Sequence, residues 1–335
     1  MRTESIRGVA VVSGAAVALC FSLMAICGRV AASYSISPFL TMAIRSCFGL
    51  TVTAAQHVCM PRAQRKAELR VAWANYGLLM LRGPFSWAGA TGAFWAYSER
   101  SLALGDVAAL YQTTPLWTIL LAWLFLRAKL RWPQCVAAAL ALVGAMILAK
   151  PTFLFGTLPT SPTTDAADSD RKMLTVLVVL ASAAGAGTAF VIVQALNNRS
   201  VGATVQVFCN LLFNTTIGFA LSAALGVCTL PPDLPWRAWA AIVGVGVSGT
   251  LGQLGTVYAV RLDSATTFAI TQQLDVVLNF IADALLFGQH VGATSVGGAL
   301  VICSGVGFLA LHKPKAVDSA RGELVPSDSS AEDKA

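Results

Sequence analysis

Four polar residues in the ninth apolar segment of the chain recur at the spacing of one helical face. Gln272, Asp275, Asn279 and Asp283 are three, four and four residues apart, and residues at this spacing lie on one side of an α-helix. An ionised aspartate near the membrane centre costs roughly 2.5–3.5 kcal/mol, so Asp275 should face a cavity or a partner rather than lipid. The pattern predicts a substrate site or a proton or cation site, and the alternative is a polar stripe that joins helices by hydrogen bonds. Asp283 lies closer to the segment end, where its carboxylate could also reach lipid headgroups.

Arginines in the first half of the chain are the basic counterpart of these carboxylates. Arg45 lies about 10 Å into the second apolar segment at 1.5 Å per helical residue. At that depth a guanidinium must be paired or hydrated. We therefore expect Arg45 to hold an anionic group of a substrate or to form a fixed ion pair with an aspartate. Arg82, also a candidate site residue, and Arg29 are nearer segment ends, from which a long side chain can reach the interface.

Aromatic and amide side chains within the apolar segments are further candidates to line a pocket. Most small-molecule sites combine aromatic walls with a few convergent polar groups, although for any single residue ordinary packing is the simpler explanation. Trp95 and Tyr111 are the aromatic candidates for the site. The wider set comprises Trp87, Gln112, Asn210, Asn214, Gln253 and Tyr258.

The amino-acid composition indicates whether these residues are surrounded by water or by lipid. Of the 335 residues, 56% are strongly hydrophobic and 12% are charged, whereas a soluble domain has about 25% charged residues. Apolar runs of about 20 residues recur, which is the length that crosses roughly 30 Å of hydrocarbon as a helix. The sequence therefore predicts an all-α, polytopic membrane protein with ten transmembrane helices. The predicted spans are 8–30, 38–58, 79–97, 106–126, 133–149, 173–196, 204–227, 239–260, 264–287 and 292–311.

The ten predicted spans divide into two related halves. Asp106 opens the fourth span as Asp263 precedes the ninth, and Gly144 in the fifth span matches Gly305 in the tenth at nearly the same offset. A repeat with an odd number of spans must insert in opposite orientations. We therefore predict two inverted five-helix repeats with a binding site near mid-membrane between them. The predicted units are a first repeat at 1–150, a linker at 151–172, a second repeat at 173–312 and a disordered cytoplasmic tail at 313–335.

The distribution of basic residues indicates the orientation of the chain and argues against nucleic acid as a partner. The formal net charge is +7, but the basic residues form short patches between apolar segments. If both termini are cytoplasmic, most of these patches lie inside, as the positive-inside rule requires. We expect an integral protein of a plasma or organellar membrane, with both termini cytoplasmic and the lipid bilayer as its surroundings. Whether it is a monomer or a homodimer stays open.

No residue pattern indicates a cofactor, a metal site or enzymatic chemistry. None of the eight cysteines has C-x-x-C spacing, and the three histidines lie far apart at predicted helix ends. Asp275 and Asp283 would be about 12 Å apart along a helix, too far to act jointly. A G-x-G-x-x-G match at residues 244–249 lies inside an apolar span, where small residues favour close helix contact instead. We expect no cofactor, no metal and no enzyme, and a membrane-embedded enzyme is the alternative of another class.

Five segments of the first half form a recognisable set: residues 38–45, Arg82-Gly83, residues 105–108, Thr114-Pro115 and residues 121–126. Together they resemble the EamA-type, ten-helix members of the drug/metabolite transporter superfamily. Residues 274–277 are similar to the ninth helix of the G subgroup of solute carrier family 35. The family commonly ends its fourth and ninth helices with glutamate, where this chain has Ala128 and Gln289, so a role of those glutamates does not carry over. The resemblance implies transport of a small metabolite such as an amino acid, a nucleotide sugar or a phosphorylated sugar.

The repeat, the intramembrane charges and the resemblance together predict a secondary transporter that works by alternating access. We expect a small polar metabolite as substrate, and an amino-acid-like zwitterion would suit arginines in one half and aspartates in the other. The alternative is an organellar antiporter of nucleotide sugars or sugar phosphates. Coupling to protons, exchange against a counter-substrate and facilitated diffusion all stay open.

Overall fold

The structure is a computed structural model that describes residues 2–34, 36–98, 107, 110–129, 131–149, 166–231, 233–286 and 293–312. The described residues form helices and no strands. Most of the predicted linker and the whole predicted tail lie outside the described residues. The helices are α1 Arg2–Ser33, α2 Pro38–Cys59, α3 Arg62–Ala74, α4 Tyr76–Ser98, α5 Thr114–Leu126, α6 Trp132–Ala149, α7 Ala166–Asn198, α8 Ala203–Ala224, α9 Trp236–Leu262, α10 Ala265–Thr271, α11 Leu274–Leu286 and α12 Ala293–Leu311.

The apolar helices have the lengths and surfaces of membrane spans. Four segments are long and apolar enough to cross a bilayer on their own: Val9–Ala31, Arg171–Asn198, Ala203–Ala224 and Trp236–Leu262. Large hydrophobic side chains such as Leu124, Leu251 and Leu285 are more than half exposed on the outside of the bundle. Such a surface is unfavourable in water and favourable in hydrocarbon. The chain is therefore a polytopic, all-α integral membrane protein, as its composition predicts.

The contacts between helices follow a pseudo-twofold pattern. The helix α1 packs along α9, and α4 packs along α7, so that the first and third spans of each half pair with the third and first spans of the other. The second spans of the two halves, α2 and α8, pair with each other, and so do the fifth spans, α6 and α12. Exchanging the halves leaves this set of pairs unchanged. The prediction of two inverted five-helix repeats is confirmed.

Glycines allow the paired helices to approach closely. A Cβ added at Gly144 in α6 would lie 2.7 Å from the backbone oxygen of Gly298 in α12. Between α1 and α9, a Cβ at Gly244 would lie 2.7 Å from Cys27 Sγ. This second contact confirms that the glycine-rich segment of α9 serves helix packing, as small residues do in membranes.

The third span differs from its predicted form. The sequence predicts a third span over 79–97, with Arg82 close to its beginning. Instead α4 begins at Tyr76 and continues through Pro84. A chain in hydrocarbon cannot leave several backbone groups unpaired, so one missing N–H is less costly than ending the helix there. As a result, Arg82 lies inside the helix rather than at its end.

The ninth span is broken, which corrects the expectation of one continuous helix. It consists of α10 and α11, separated by a turn at Gln272 and Gln273. At the turn the backbone bonds shorten to a three-residue spacing: the amide of Gln273 donates to the carbonyl of Ile270 at 3.1 Å. The fourth span has the same break, where the amide of Thr113 donates to Leu110 at 3.2 Å just before α5. Each repeat therefore has a discontinuous fourth helix.

Candidate functional site

Arg82 is buried in the interior of the bundle and has few hydrogen-bond partners. Its side chain is only 2% exposed. One guanidinium nitrogen, Nη2, lies 3.4 Å from Oε1 of Gln253 in α9. Its Nε and Nη1 are buried and make no hydrogen bond within the described structure. Of the two positions that the sequence left open, the structure therefore gives the interior, since a side chain inside α4 that points into the bundle cannot reach headgroups.

The neighbours of Arg82 are amides and not carboxylates. The side chain of Asn210 in α8 is fully buried, and its Nδ2 lies 3.5 Å from the same Gln253 oxygen. Its Oδ1 has no partner among the described residues. A neutral amide bridge at these long distances is weaker than a charge-assisted pair. The cluster of Arg82, Asn210 and Gln253 therefore retains unused donors and an unused acceptor.

Arg45 is buried against the middle of α9. Its side chain is 5% exposed, and a Cβ added at Gly249 would lie 2.6 Å from its Nε. Only a glycine at this point leaves space for the arginine to lie along the helix. Among the described residues, the one hydrogen bond of the guanidinium joins Nη1 to the sulfur of Met42, at 3.2 Å. This acceptor is weak, and Nε has no acceptor in the described part of the chain.

The two arginines converge on one face of α9. Their contact points, Gly249 and Gln253, are four residues apart, so they lie on the same side of the helix about 6 Å apart along its axis. Gly249 is the midpoint of Trp236–Leu262. Neither guanidinium forms an ion pair with an acidic side chain in the described part of the chain. We call this group, Arg45, Arg82, Asn210, Gly249 and Gln253, the arginine cluster.

Polar residues of the ninth span form a second group, which we call the Asn279 group: Gln272, Gln273, Asp275 and Asn279. Asn279 Oδ1 accepts a hydrogen bond from Ser22 Oγ of α1 at 2.9 Å, which joins the first span of one repeat to the ninth. Asp275, half-buried one turn earlier, lies in the first turn of α11. There, the partial positive charge of the helix N-terminus favours a carboxylate. For Asp283 the structure describes the backbone in α11 but not the side chain.

The break in the ninth span changes the predicted stripe of polar residues. Gln272 lies in the turn, outside both helices, and its Oε1 is buried without a partner among the residues that the structure describes. The next residue, Gln273, is 4% exposed, and its Oε1 likewise has no partner among these residues. Two amide oxygens are thus held at the break, next to the first turn that carries Asp275. The sequence did not single out Gln273, because it lies off the predicted helical face.

Trp95 and Tyr111 come together, but in a different place. Both pack on a small cluster formed by Ala96, Val107 and Val179. This cluster joins the end of α4 to the beginning of the fourth span and to α7. The two aromatic residues therefore lie at this junction of helices.

A small cavity lies at the end of the bundle where α6 and α10 begin. Its lining includes Arg131, Gln134, Asp263, Thr267 and His312. Its volume of about 20 Å³ holds one or two water molecules and not a metabolite. Gln134 Nε2 also lies 3.3 Å from Thr267 Oγ1, which ties α6 to α10 here. The cavity reflects contact between the two repeats rather than a binding site.

The sequence profile of the EamA-like transporter family matches residues 8–150 and 173–311. These two matches coincide with the two halves that the helix contacts relate to each other.

Named relatives are transport proteins. The chain is 28% identical over 235 residues to human solute carrier family 35 member G1. This alignment covers 68% of this chain and 61% of the relative. It is 24% identical over 259 residues to a probable transport protein of Saccharomyces cerevisiae, covering 74% of this chain and 71% of that protein. A solved crystal structure superimposes with a TM-score of 0.67 at 17% identity, over 90% of this chain and 98% of that one. This last similarity shows the fold alone.

Proposed function

Because this chain belongs to the EamA-like transporter family, we propose that it is a secondary carrier that moves a small polar metabolite with an anionic group across a membrane. Transport of a small solute follows from the family. The anionic group and alternating access are our inference from the geometry. The relatives that carry a functional name are transport proteins, so we propose a carrier rather than a membrane-embedded enzyme.

The observation that carries the proposal is the unpaired state of the arginine cluster. A buried polar group normally has a hydrogen-bond partner, and an exception calls for an explanation. Arg45 Nε and Arg82 Nε and Nη1 are three buried donors without an acceptor in the described structure. A carboxylate or phosphate accepts such donors in charge-assisted bonds. A bound anionic substrate would therefore supply the partners that the protein leaves out.

The position of the cluster suits alternating access. It lies at the midpoint of α9, and α9 packs on α1 and α2 of the opposite repeat. Substrate sites of inverted-repeat carriers lie near mid-membrane between the repeats, where rocking of one repeat against the other changes the side to which they open. A charge at this depth, without a fixed counterion, is costly until substrate binds. This cost favours closure around a loaded site.

The Asn279 group is the proposed second half of the site. Asp275, Gln272 and Gln273 present acceptors at the break of the ninth span, and Asn279 links this region to α1. An amino-acid-like zwitterion would place its carboxylate at the arginines and its ammonium group at these acceptors. We propose that Asp275 either binds the cationic group or carries a coupling proton.

Exchange of phosphorylated sugars or nucleotide sugars is the second candidate, and the charge balance of the arginine cluster favours it. Two guanidiniums meet no acidic partner in the described structure, whereas a monoanionic carboxylate would neutralise only one of them. A phosphate ester neutralises both. The two candidates therefore differ in the ligand expected to stabilise the protein, which is an amino acid for the first and a phosphate ester for the second.

Thermal unfolding of the purified protein with panels of small carboxylates, amino acids and phosphate esters tests the proposal. A ligand that binds only the folded state raises the unfolding temperature. We expect anionic metabolites to stabilise the wild-type protein. Arg82→Gln should weaken that effect about ten- to hundredfold in ligand concentration, since charge-assisted hydrogen bonds contribute about 1.5–3 kcal/mol.

Lys129→Gln is the matched control, because Lys129 is an exposed residue after α5 and belongs to none of the helices that form the cluster. It should leave the stabilisation unchanged. If Arg82→Gln and the wild type respond equally to every anion, the arginine cluster is not the anion site.

A further inference from the structure

The short helix α3 has one side packed on the protein. Ala72 is 8% exposed and belongs to a hydrophobic cluster with Leu196 and Val201 at the α7–α8 junction. The carboxyl group of Glu68, one turn earlier, lies against Gly202, where a Cβ would be 2.7 Å from its Cδ. These contacts fix which face of α3 is turned inwards.

The outward side of α3 is basic. Arg62, Lys66 and Arg70 recur every fourth residue, so they form one stripe along the helix, and all three are exposed. Glu68 is the acidic residue of the helix and lies on the packed side. The outer face therefore carries three positive charges and no negative one.

Aromatic and aliphatic side chains lie beside this stripe. Leu69 is 47% exposed, Trp73 75% and Tyr76 51%. The rings of Trp73 and Tyr76 are in contact, with centroids 5.4 Å apart. Helical spacing places Leu69 and Trp73 next to Arg62 and Lys66 on the wheel. Tryptophan and tyrosine are enriched at the boundary between hydrocarbon and headgroups.

We propose that the outer face of α3 binds the headgroups of anionic phospholipids in the leaflet that it faces. The helix connects two spans, α2 and α4, and therefore lies at a membrane surface. Its three positive charges match anionic headgroups, and its exposed aromatic side chains match the adjoining acyl boundary. An acidic soluble protein would match the charges but would leave Trp73 and Leu69 against water.

The helix breaks the symmetry of the fold. At the corresponding place in the second repeat, between α8 and α9, the described residues 225–231 and 233–235 form no helix. A structural linker between two spans therefore does not require α3. Lipid binding gives this addition a role that is independent of the proposed substrate site.

Quenching of Trp73 fluorescence by brominated lipids tests this proposal on the full-length protein in nanodiscs. Brominated phosphatidylglycerol and brominated phosphatidylcholine are compared at equal fractions, and the signal of a Trp73→Phe protein is subtracted. We expect stronger quenching by the anionic lipid, with a preference that decreases as salt is added because screening weakens the attraction.

A protein carrying Arg62→Gln, Lys66→Gln and Arg70→Gln should lose the preference for anionic lipid. The fraction of brominated phosphatidylglycerol that gives half-maximal quenching should rise about tenfold or more. The control protein carries Arg127→Gln, Lys129→Gln and Arg131→Gln, the same loss of charge in an exposed loop at the same end of the bundle, and should keep the preference. Equal quenching by both lipids in the wild type would overturn the proposal, and so would a preference that survives high salt. If the triple variant does not fold, Lys66→Gln alone and the salt series still decide the question.

Discussion

Arg45 and Arg82 carry most of the functional argument at the scale of single residues. The sequence predicted that Arg45 would meet either a substrate anion or a fixed aspartate. The structure gives it neither an aspartate nor a glutamate among the described residues, and its nearest polar contact is a sulfur atom. For Arg82 the sequence leaves both a site and the interface open, because the predicted third span begins only three residues earlier, at 79. Only the packing of α4 on α7 and α8 shows that this arginine is buried.

Gly249 offers a test that moves Arg45 without removing its charge. In Gly249→Ala, the new Cβ would lie 2.6 Å from Arg45 Nε, so the flexible arginine side chain must shift. We expect the apparent affinity for an anionic substrate to fall about tenfold, since one charge-assisted hydrogen bond is misplaced. The unfolding temperature should change little. Concentration-dependent uptake into proteoliposomes, together with thermal unfolding, measures both quantities.

The control for this variant is Gly307→Ala in α12, where no atom lies within 4 Å of the added Cβ. It should leave both quantities unchanged. An affinity for Gly249→Ala equal to that of the wild type would mean that the position of Arg45 does not matter for binding.

A substitution of Asp275 tests whether its carboxylate couples transport to protons or only stabilises the fold. We expect Asp275→Asn to fold, because an amide still accepts hydrogen bonds from the first turn of α11. Uptake by this variant should lose its dependence on pH, since the amide cannot take up a proton. Uptake measured over a series of pH values checks this prediction, with Asn279→Ala as a variant that disturbs the same helix but keeps the carboxylate. Normal transport with an unchanged pH profile would exclude Asp275 as a coupling residue.

At the scale of the elements, too, some features could be predicted from the sequence and others could not. The spans could be predicted because runs of apolar residues have the length of a bilayer. The break of the ninth span could not, because residues 264–286 contain neither proline nor glycine. Pro115 marks the equivalent break in the fourth span, but the ninth span has no proline at the corresponding place. The helix α3 could not be predicted in this way, because an amphipathic helix has no long apolar run. Its basic residues indicate only the orientation of the chain.

Close packing of α6 on α12 gives the prediction at this scale. A Cβ at Gly144 would meet backbone atoms of the partner helix, Gly298 O and Ile302 N, each at 2.7 Å. Backbone atoms cannot move aside as a side chain can, so Gly144→Ala should separate the helices. We expect it to destabilise the protein by about 1–3 kcal/mol.

Gly297→Ala in α12 is the matched control, because nothing lies within 4 Å of its Cβ. It should be neutral or slightly stabilising, as alanine favours a helix. Thermal unfolding in detergent compares the two variants. Equal unfolding temperatures for both would show that the fifth spans are not packed as closely as described.

At the scale of the whole molecule, the two repeats explain why the functional residues are distant in sequence. The arginine cluster takes its charges from α2 and α4 of the first repeat and its amides and glycine from α8 and α9 of the second. The Asn279 group joins α11 of the second repeat to α1 of the first. A site shared in this way changes its surroundings when one repeat moves against the other, as alternating access requires.

The most direct test of a carrier between inverted repeats is counterflow in proteoliposomes. The vesicles are loaded with the anionic metabolite that gives the largest thermal stabilisation, and entry of the same labelled compound is followed from outside. We predict that internal substrate accelerates labelled uptake and that Arg82→Gln abolishes the acceleration. Uptake that is the same with and without internal substrate would contradict alternating access and indicate a channel.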